Sequence, residues 1–519
     1  MKKIIATFLF LTCVLVIDAQ KLPTYFDFPN NRLQKTSDFT PTGNSSERIW
    51  VDGNTIWLGT GYGLSRSTDN GDSWTNYYKT DAFGEESVYA VKTNNGVVWA
   101  GKWHMEPGIG DDIPTGTGLC YSTDNGETWA KIDQPRDNIT DTVITYGINK
   151  LKIAPIATAS GNMVRDIGFT KNTIWIASWG GGLRKSTDNG STWQRVVLPP
   201  NNLDSIKPTD SLDFVINPSI STNYYVFAIV VVEDTIYVGT AGGINKSTDD
   251  GISWTKFNHT NQERPITGNF IWSMSYNNYD HSIWAGTWNA QSQIENWGLS
   301  FTTDGGRNWQ TNLYGQRVYD IAFKYFGNQG NYTGYDAIAA TETGLYRSSN
   351  NGVTWIAAPQ IVDANTRIAL TTNEFRAVKV QKTDDGADNI WAGSSNGLVK
   401  LKETTGFWTG DWKIFLASSK IENSNETFAF PNPFSPDAEV VRIKYNVENG
   451  SNVTIRIFDF GMNLVRTVIQ NASRGASDSQ TEIWDGKDET GKIVPNGVYF
   501  YRIDIGSQAP LYGKIMVLM

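Results

Sequence analysis

The stretch "KSTDNGSTW" occupies positions 185–193, and the chain writes it again and again. "RSTDNGDSW" stands at 66–74, "YSTDNGETW" at 121–129 and "KSTDDGISW" at 246–254, with weaker copies "FTTDGGRNW" at 301–309 and "RSSNNGVTW" at 347–355. In each strong copy, Ser-x-Asp-x-Gly-x-Thr/Ser-Trp falls between two strand-like runs. A short acid accepts hydrogen bonds from the amides of its own turn, and glycine supplies a positive φ that a Cβ would penalise. Tryptophan then returns the chain to an apolar layer. Asp69, Asp124, Asp188, Asp249 and Asp304 are therefore expected to be structural turn staples. A calcium loop is disfavoured, because "DNGD" lacks the alternating carboxylates such a loop needs.

The residues ahead of the motif repeat as well. "NTIWLGTGYGLSRSTDNG" (54–71), "NTIWIASWGGGLRKSTDNG" (172–190) and "DTIYVGTAGGINKSTDDG" (234–251) share one grammar. An alternating strand ends in small residues, a Gly-rich turn follows, a second strand enters the Asp turn and a third leaves from Trp. A further apolar run precedes each unit, as in "VYAVKT" (88–93), "VRDIGF" (164–169) and "FRAVKV" (375–380). Four strands per unit, with staples roughly 45–65 residues apart, describe the blades of a β-propeller. Counting "ERIWV" (47–51) as a first inner strand gives seven blades over 45–416, the last of which, around "NIWAGSSNGLVKLK" (389–402), has lost its Asp turn. The Gly-rich "GTGYG" and "SWGGG" lead into strands rather than helices, so they read as hairpin turns and not as phosphate loops.

Composition fits an all-β chain: 49 Gly, 20 Trp, 22 Tyr and 23 Phe in 519 residues favour short strands and tight turns. The net charge of −9 argues against general nucleic-acid binding and against adsorption to anionic lipid. Lys2 and Lys3 precede the apolar run "IIATFLFLTCVLVI", then Asp18, Ala19 and Gln20, which reads as a signal peptide over 1–19. Residues 20–44 are a lead segment, and no transmembrane segment is expected in the mature chain. Only Cys120 then remains, so no intrachain disulfide, cysteine-based metal site or cofactor is expected.

The spacing of the copies resembles the Asp-box (BNR) repeat of sialidases, xyloglucan-degrading glycosidases, sortilin-type receptors and photosystem assembly factors of the Ycf48 type. The resemblance covers about 47–415 and implies the propeller fold; it leaves function open, since those relatives do different things. After a linker at 417–426, residues 427–519 hold strand-like runs that indicate a small β-sandwich. Pro431-Asn432-Pro433-Phe434, Trp484-Asp485-Gly486, Asn496-Gly497-Val498-Tyr499 and Lys514 resemble the immunoglobulin-like domain of the flagellar hook-cap protein and the type A sorting domain of type IX secretion. That resemblance implies the type IX machinery as a partner, and a secreted or outer-surface location on a Gram-negative-type bacterium. An ordinary accessory sandwich is the competing reading.

Function is expected on the face built by the second-to-third turns and the links between blades, opposite the Asp turns. Its irregular parts are the turns 101–118 and 286–298 and the links 132–163 and 198–224. Trp103, Trp179 and Trp288 share one aligned position, where other units carry Gly61, Ala241, Glu342 and Ser395. Three indoles on a rim suit sugar rings or a peptide, with packing between units as the competing role. At one inner-strand position Arg48, Asp166 and Asp320 interrupt a column of small residues, and Arg48 joins the ligand-binding candidates. The leading expectation is a non-catalytic propeller that binds an extracellular glycan or protein. The alternative is a glycoside hydrolase or polysaccharide lyase, whose carboxylates would come from Asp166, Asp320, Glu106 or Asp111. The sialidase version lacks its Arg-Ile-Pro motif and a clear arginine triad. The resemblance to xyloglucanases implies two propellers where this chain has one.

Overall fold

The repeated motif closes on itself through its own side chains. In the computed structural model, Ser186 Oγ donates to Asp188 Oδ1 (2.8 Å) and accepts from Gly190 N (2.8 Å). Asp188 also accepts from the backbone and hydroxyl of Thr192 (2.9 and 2.6 Å). Asn189 and Gly190 take φ of 57° and 85°, the conformation that the motif's Asn/Asp/Gly-Gly pair tolerates. The same bonds form around Asp69, Asp124, Asp249 and Asp304, and Asn350 makes them with its amide in the sixth copy. The structure describes residues 36–38, 40–108, 110–290, 293–365, 369–383, 388–404, 406–417, 425–430, 432–436 and 440–519. The expected signal peptide lies outside them, as do most of the lead segment and of the linker.

Seven antiparallel sheets follow one another, each a meander of four strands. Their inner strands are Ser46–Asp52, Ser87–Asn94, Val164–Phe169, Val226–Val232, Phe270–Tyr276, Val318–Asn328 and Phe375–Lys382. Each inner strand packs beside the next, the seventh packs beside the first, and all seven line one central cavity of about 400 Å³. Thr36–Asp38, from the lead segment, adds an outer strand to the first sheet, and Ser205–Ile206 does so for the fourth. The only helical element among the described residues is the turn Thr222–Tyr224.

What joins the sheets is the Asp turn. A Cβ added to Gly71 would lie 2.6 Å from Trp391, one on Gly126 2.8 Å from Trp57, one on Gly190 3.0 Å from Trp99 and one on Gly251 2.6 Å from Trp175. Each of these tryptophans sits on the second strand of the preceding sheet, so the glycine is needed for contact as well as for φ. The residue opening each motif completes the joint. Lys185 lies over the Trp175 ring (5.1 Å) and donates to Asp250 O of the next turn (2.9 Å). Lys400 over Trp391 reaches Asn70 O (2.8 Å) in the same way, and so closes the seventh sheet onto the first. Where the motif opens with an aromatic, that ring stacks instead: Tyr121 on Trp99 (4.9 Å) and Phe301 on Trp284 (4.3 Å).

The sixth and seventh sheets break this rule together. The seventh has no Asp turn, and the sixth carries Ile338 where the others place the aromatic. Buried ion pairs take over: Arg347 bonds Asp336 Oδ2 through Nε (2.9 Å) and pairs with Glu403, which also holds Lys324. Phe407 covers the Arg347 guanidinium at 4.2 Å.

Val143–Tyr146, Asn149–Ile153 and Val215–Ile216 from the two long links form a small sheet of their own, and the strands after the seventh sheet form two further sheets, Thr427–Phe430, Val441–Val447 and Ser477–Trp484 in one, and Ser451–Phe458, Leu464–Arg474, Gly497–Ile505 and Leu511–Val517 in the other. Their inward faces share one core with Trp484, Tyr445 and Tyr501 fully buried. The sequence motifs of this region converge there. Phe434 packs on Trp484 (5.7 Å), Trp484 on Tyr499 (5.4 Å), and Asn432 bonds both Lys514 O (2.8 Å) and Met516 N (2.7 Å).

Acid should loosen the turns. Hydrogen bonds from Thr128 and Thr192 hold the carboxyls of Asp124 and Asp188 down to about 2, and Asn308 does so for Asp304 against the opposing effect of burial. In an unfolded chain these groups titrate near ~3.9. A depressed folded pKa gives stability that is present above the unfolded value and lost as pH falls from about 4 towards about 2. The urea midpoint should therefore drop over that window. The double variant Asp124→Asn/Asp188→Asn should lose less of it, since Asn350 shows that an amide can hold the turn. Equal pH slopes for the two proteins would contradict the staple role.

Candidate functional site

The inner strands start from the link-bearing face, and at this end each carries one β-bulge. The pairing register skips one residue in every one of the seven: Glu47, Tyr89, Arg165, Phe227, Trp272, Tyr319 and Arg376. A bulge inserts an unpaired residue and re-aims its side chain. Here the re-aimed groups meet over the channel. The Arg165 guanidinium, from the third sheet, lies 4.0 Å from the ring centroids of both Tyr89 in the second sheet and Trp272 in the fifth. Its Nε and Nη2 are buried without a hydrogen-bond partner. Burial, followed by the charge of Arg48, pulls its pKa below the ordinary value. Arg376 pairs with Glu47 (2.7 Å) and Glu374 (3.0 Å) on the other side of the mouth.

An aromatic belt runs from this mouth along the rim. Trp272 stacks on Trp288 at 4.4 Å and 4°, Phe270 stacks on both, and Phe227 links Phe270 (4.5 Å) to Trp179 (6.5 Å). Tyr319 meets Trp288 edge-on at 5.4 Å. Arg317 lies 4.4 Å over the half-exposed Trp297, from the 286–298 turn, and pairs with Glu342 (3.6 Å). Half-buried rings beside charges of both signs offer flat apolar faces and hydrogen-bonding groups together, which is what a sugar presents in complement.

The candidates from the sequence fall in different places. Trp179 and Trp288 lie at two points of this belt. Trp103 does not join it: it is half-buried at the base of its hairpin, with its indole N–H unpartnered. The aligned position is real, because Gly61, Trp179, Ala241, Glu342 and Ser395 all donate their backbone N–H to the carbonyl of the segment entering the inner strand. Arg48 lies inside the channel, where its Nη2 donates to Arg165 O (3.2 Å). Burial disfavours its charge, but Asp166, Tyr89 and Asp320 outweigh that and raise its pKa. Asp166 accepts from Ile167 N and from Ile229 N of the next sheet (both 2.9 Å), and Lys92 stands 3.7 Å away. Asp320 accepts from Ile321 N (2.9 Å), Val378 N (3.0 Å) and Lys379 Nζ (2.6 Å). Both acids thus tie inner strands together inside the channel.

Glu106 stands on the expanded 101–118 hairpin in a chain of polar contacts. His104 Nε2 meets Glu106 Oε1 (3.2 Å), His104 Nδ1 meets Glu86 Oε2 (2.9 Å), and Thr115 Oγ1 donates to Glu106 Oε2 (2.9 Å). Burial lowers the His104 pKa, but the bonds to Glu86 and Glu106 prevail and raise it; the bond from His104 lowers that of Glu106. No cluster of three His, Cys, Asp or Glu suited to a metal occurs among the described residues.

Sequence reasoning missed the bulge column. It read the next residue, the position of Arg48, Asp166 and Asp320, as facing the channel, which those three do line, but strict alternation puts the preceding residue on the other face. The column itself was the available signal: an aligned position that reads Glu, Tyr, Arg, Phe, Trp, Tyr, Arg.

The repeat and the fold both have counterparts among known proteins. The BNR/Asp-box repeat model matches residues 121–131. The xyloglucanase Xgh74A of Acetivibrio thermocellus is 24% identical over 218 residues, which are 41% of this chain and 20% of that protein. The chain thus spans about a fifth of the length of the curated relatives it matches. Among solved structures, an ancestral GH74 enzyme is similar over 92% of this chain and 63% of its own, with a TM-score of 0.52 at 14% identity. PorZ, a surface component of the type IX secretion system of Porphyromonas gingivalis, is similar over 91% of this chain and 65% of its own, with a TM-score of 0.39 at 13% identity. The chain is a β-propeller with BNR/Asp-box repeats. No helix among the described residues is long and apolar enough to cross a membrane.

Proposed function

We propose that the seven sheets are the blades of one closed ring over 45–416, and that its link-bearing face engages an extracellular polysaccharide of the xyloglucan class along the aromatic belt. The observation that carries this reading is the stacked Trp272–Trp288 pair with Phe270 and Tyr319, continued by Trp297 on Arg317. The similarity to a xyloglucanase supports the choice of ligand. Hydrolysis of that polysaccharide is the second reading, and the same similarity favours it. Its carboxylates would be Glu106 or Asp111 on the exposed hairpin, because both oxygens of Asp166 and of Asp320 are occupied by backbone amides.

Calorimetric titration with xyloglucan oligosaccharides should detect binding that weakens about tenfold in Trp297→Ala, since one stacking anchor contributes ~1–2 kcal/mol. Trp193→Ala, at an Asp turn, should lower the Tm and leave affinity unchanged. Equal affinity in the wild type and Trp297→Ala would remove the belt as the site. Release of new reducing ends from xyloglucan, abolished by Glu106→Gln or Asp111→Asn, would establish the hydrolase reading.

Residues 427–519 form, in this proposal, an immunoglobulin-like sorting domain that directs the exported chain through type IX secretion to the cell surface or medium. The convergence of its four motif segments on one core end supports this. Removing the last seven residues would be a poor test, because Ile515 and Val517 are buried in the final strand. Lys514 is exposed. Lys514→Ala should therefore keep the sandwich folded and retain the protein in the periplasm on cell fractionation. Normal surface delivery of this variant would favour an accessory domain.

A further inference from the structure

A groove of about 920 Å³ opens beside Trp179, between the 101–118 hairpin and the two long links. Its walls are Ile113 and Pro114 from the hairpin, Pro155 and Ile156 from the first link and Pro218 from the second, with Trp179 and Tyr225 also lining it. Ile139 reaches it with 73% of its surface still open to solvent. These walls differ in chemistry from the belt. Aliphatic and proline side chains predominate, with Thr158, Ser160, Asn217 and Ser219 between them; over the apolar parts sugar hydroxyls would be buried without partners, which is costly. Such walls suit aliphatic side chains, whose burial removes apolar area from water.

The groove is also built to hold its shape. The buried carboxylate of Asp137 pairs with Arg184 (2.8 Å) and Arg195 (3.0 Å). It also accepts from Ile156 N (2.8 Å), while Asp137 N donates to Ile156 O (2.9 Å). The two links pair with each other as well, Asn149–Ile153 running parallel to Val215–Ile216. A preformed site loses less ordering entropy when it binds. The charge on its lining is one-sided: Asp111 and Asp112 stand on it, and no Lys or Arg does.

We propose that this groove docks a second protein, through an extended segment that carries aliphatic side chains flanked by lysine or arginine. The proposal goes beyond the glycan reading and does not depend on it. Fluorescence anisotropy of the full-length secreted chain with a fluorescein-labelled Lys-Leu-Pro-Leu-Lys-Leu-Pro-Leu peptide tests it. Saturable binding is expected, at least tenfold weaker for the same peptide with Glu in place of Lys. Asp111→Asn/Asp112→Asn should abolish the preference between the two peptides. Ile139→Ser should weaken both, with an unchanged Tm because these side chains are exposed. Xyloglucan oligosaccharide binding should be unaffected by Ile139→Ser. The proposal is overturned if neither peptide binds, if wild type binds both equally, or if the groove variants leave peptide binding intact. It is equally overturned if Ile139→Ser abolishes oligosaccharide binding, since the groove would then belong to the glycan.

Discussion

One contact recurs through the molecule and the rest depends on it: the glycine of an Asp turn pressed against an aromatic ring of the preceding sheet. A four-stranded meander on its own leaves both faces in water and must bury its apolar residues against a neighbouring layer. The turn solves this locally. Ser and Asp side chains satisfy its amides, glycine leaves room for the indole edge, and a cation or a second ring covers the indole face. Because the joint points from each sheet to the one before it, five such turns order the sheets in chain sequence, while the sixth copy sets Gly352 against Asn312 instead. The turn of the first sheet reaches Trp391 and Phe415 of the seventh, so the two ends of the series are joined by the same device.

The exception shows the logic of the rule. Between the sixth and seventh sheets the glycine and the tryptophan are absent together, and Arg347, Asp336, Glu403 and Lys324 occupy the space. A buried pair whose partner is removed is strongly destabilising, so these four groups must be kept or lost as a set. At the centre, a second repeated device works in the opposite sense. Seven bulges take one residue out of each inner ladder and aim it over the channel. Their identities vary freely, because a bulged residue is not held to the size limits of the packed column. Function can therefore change at the mouth while the joints stay fixed.

Much of the architecture was legible because it is repetitive. The spacing of Asp69, Asp124, Asp188, Asp249 and Asp304 marks the third-to-fourth turns, and the loss of the motif after Lys400 is visible as written. The partner of each turn was not legible: Trp57, Trp99 and Trp175 read as ordinary strand residues until their neighbours in space are known. The site was read less well. Trp179 and Trp288 do belong to one aromatic belt, but Trp103 does not, although all three share an aligned position. Alternation assumes an unbroken ladder, and one bulge per inner strand shifts the face of every residue before it. Trp272, Arg165 and Tyr89 were invisible for that reason. The groove walls come from three separate segments whose convergence depends on the buried Asp137, an acid that nothing in its local sequence sets apart.

The account rests on the turn-to-ring joint, and paired calorimetric melts of Gly251→Ala and Gly53→Ala test it most directly. Both glycines have positive φ, 77° and 56°, but a Cβ on Gly251 would lie 2.6 Å from Trp175 while one on Gly53 meets nothing within 4 Å. Gly53→Ala should therefore show only the cost of the left-handed conformation. Gly251→Ala should lose about 1–3 kcal/mol more through overpacking of the joint. Equal melting temperatures for the two variants would contradict the claim that these contacts hold the sheets together.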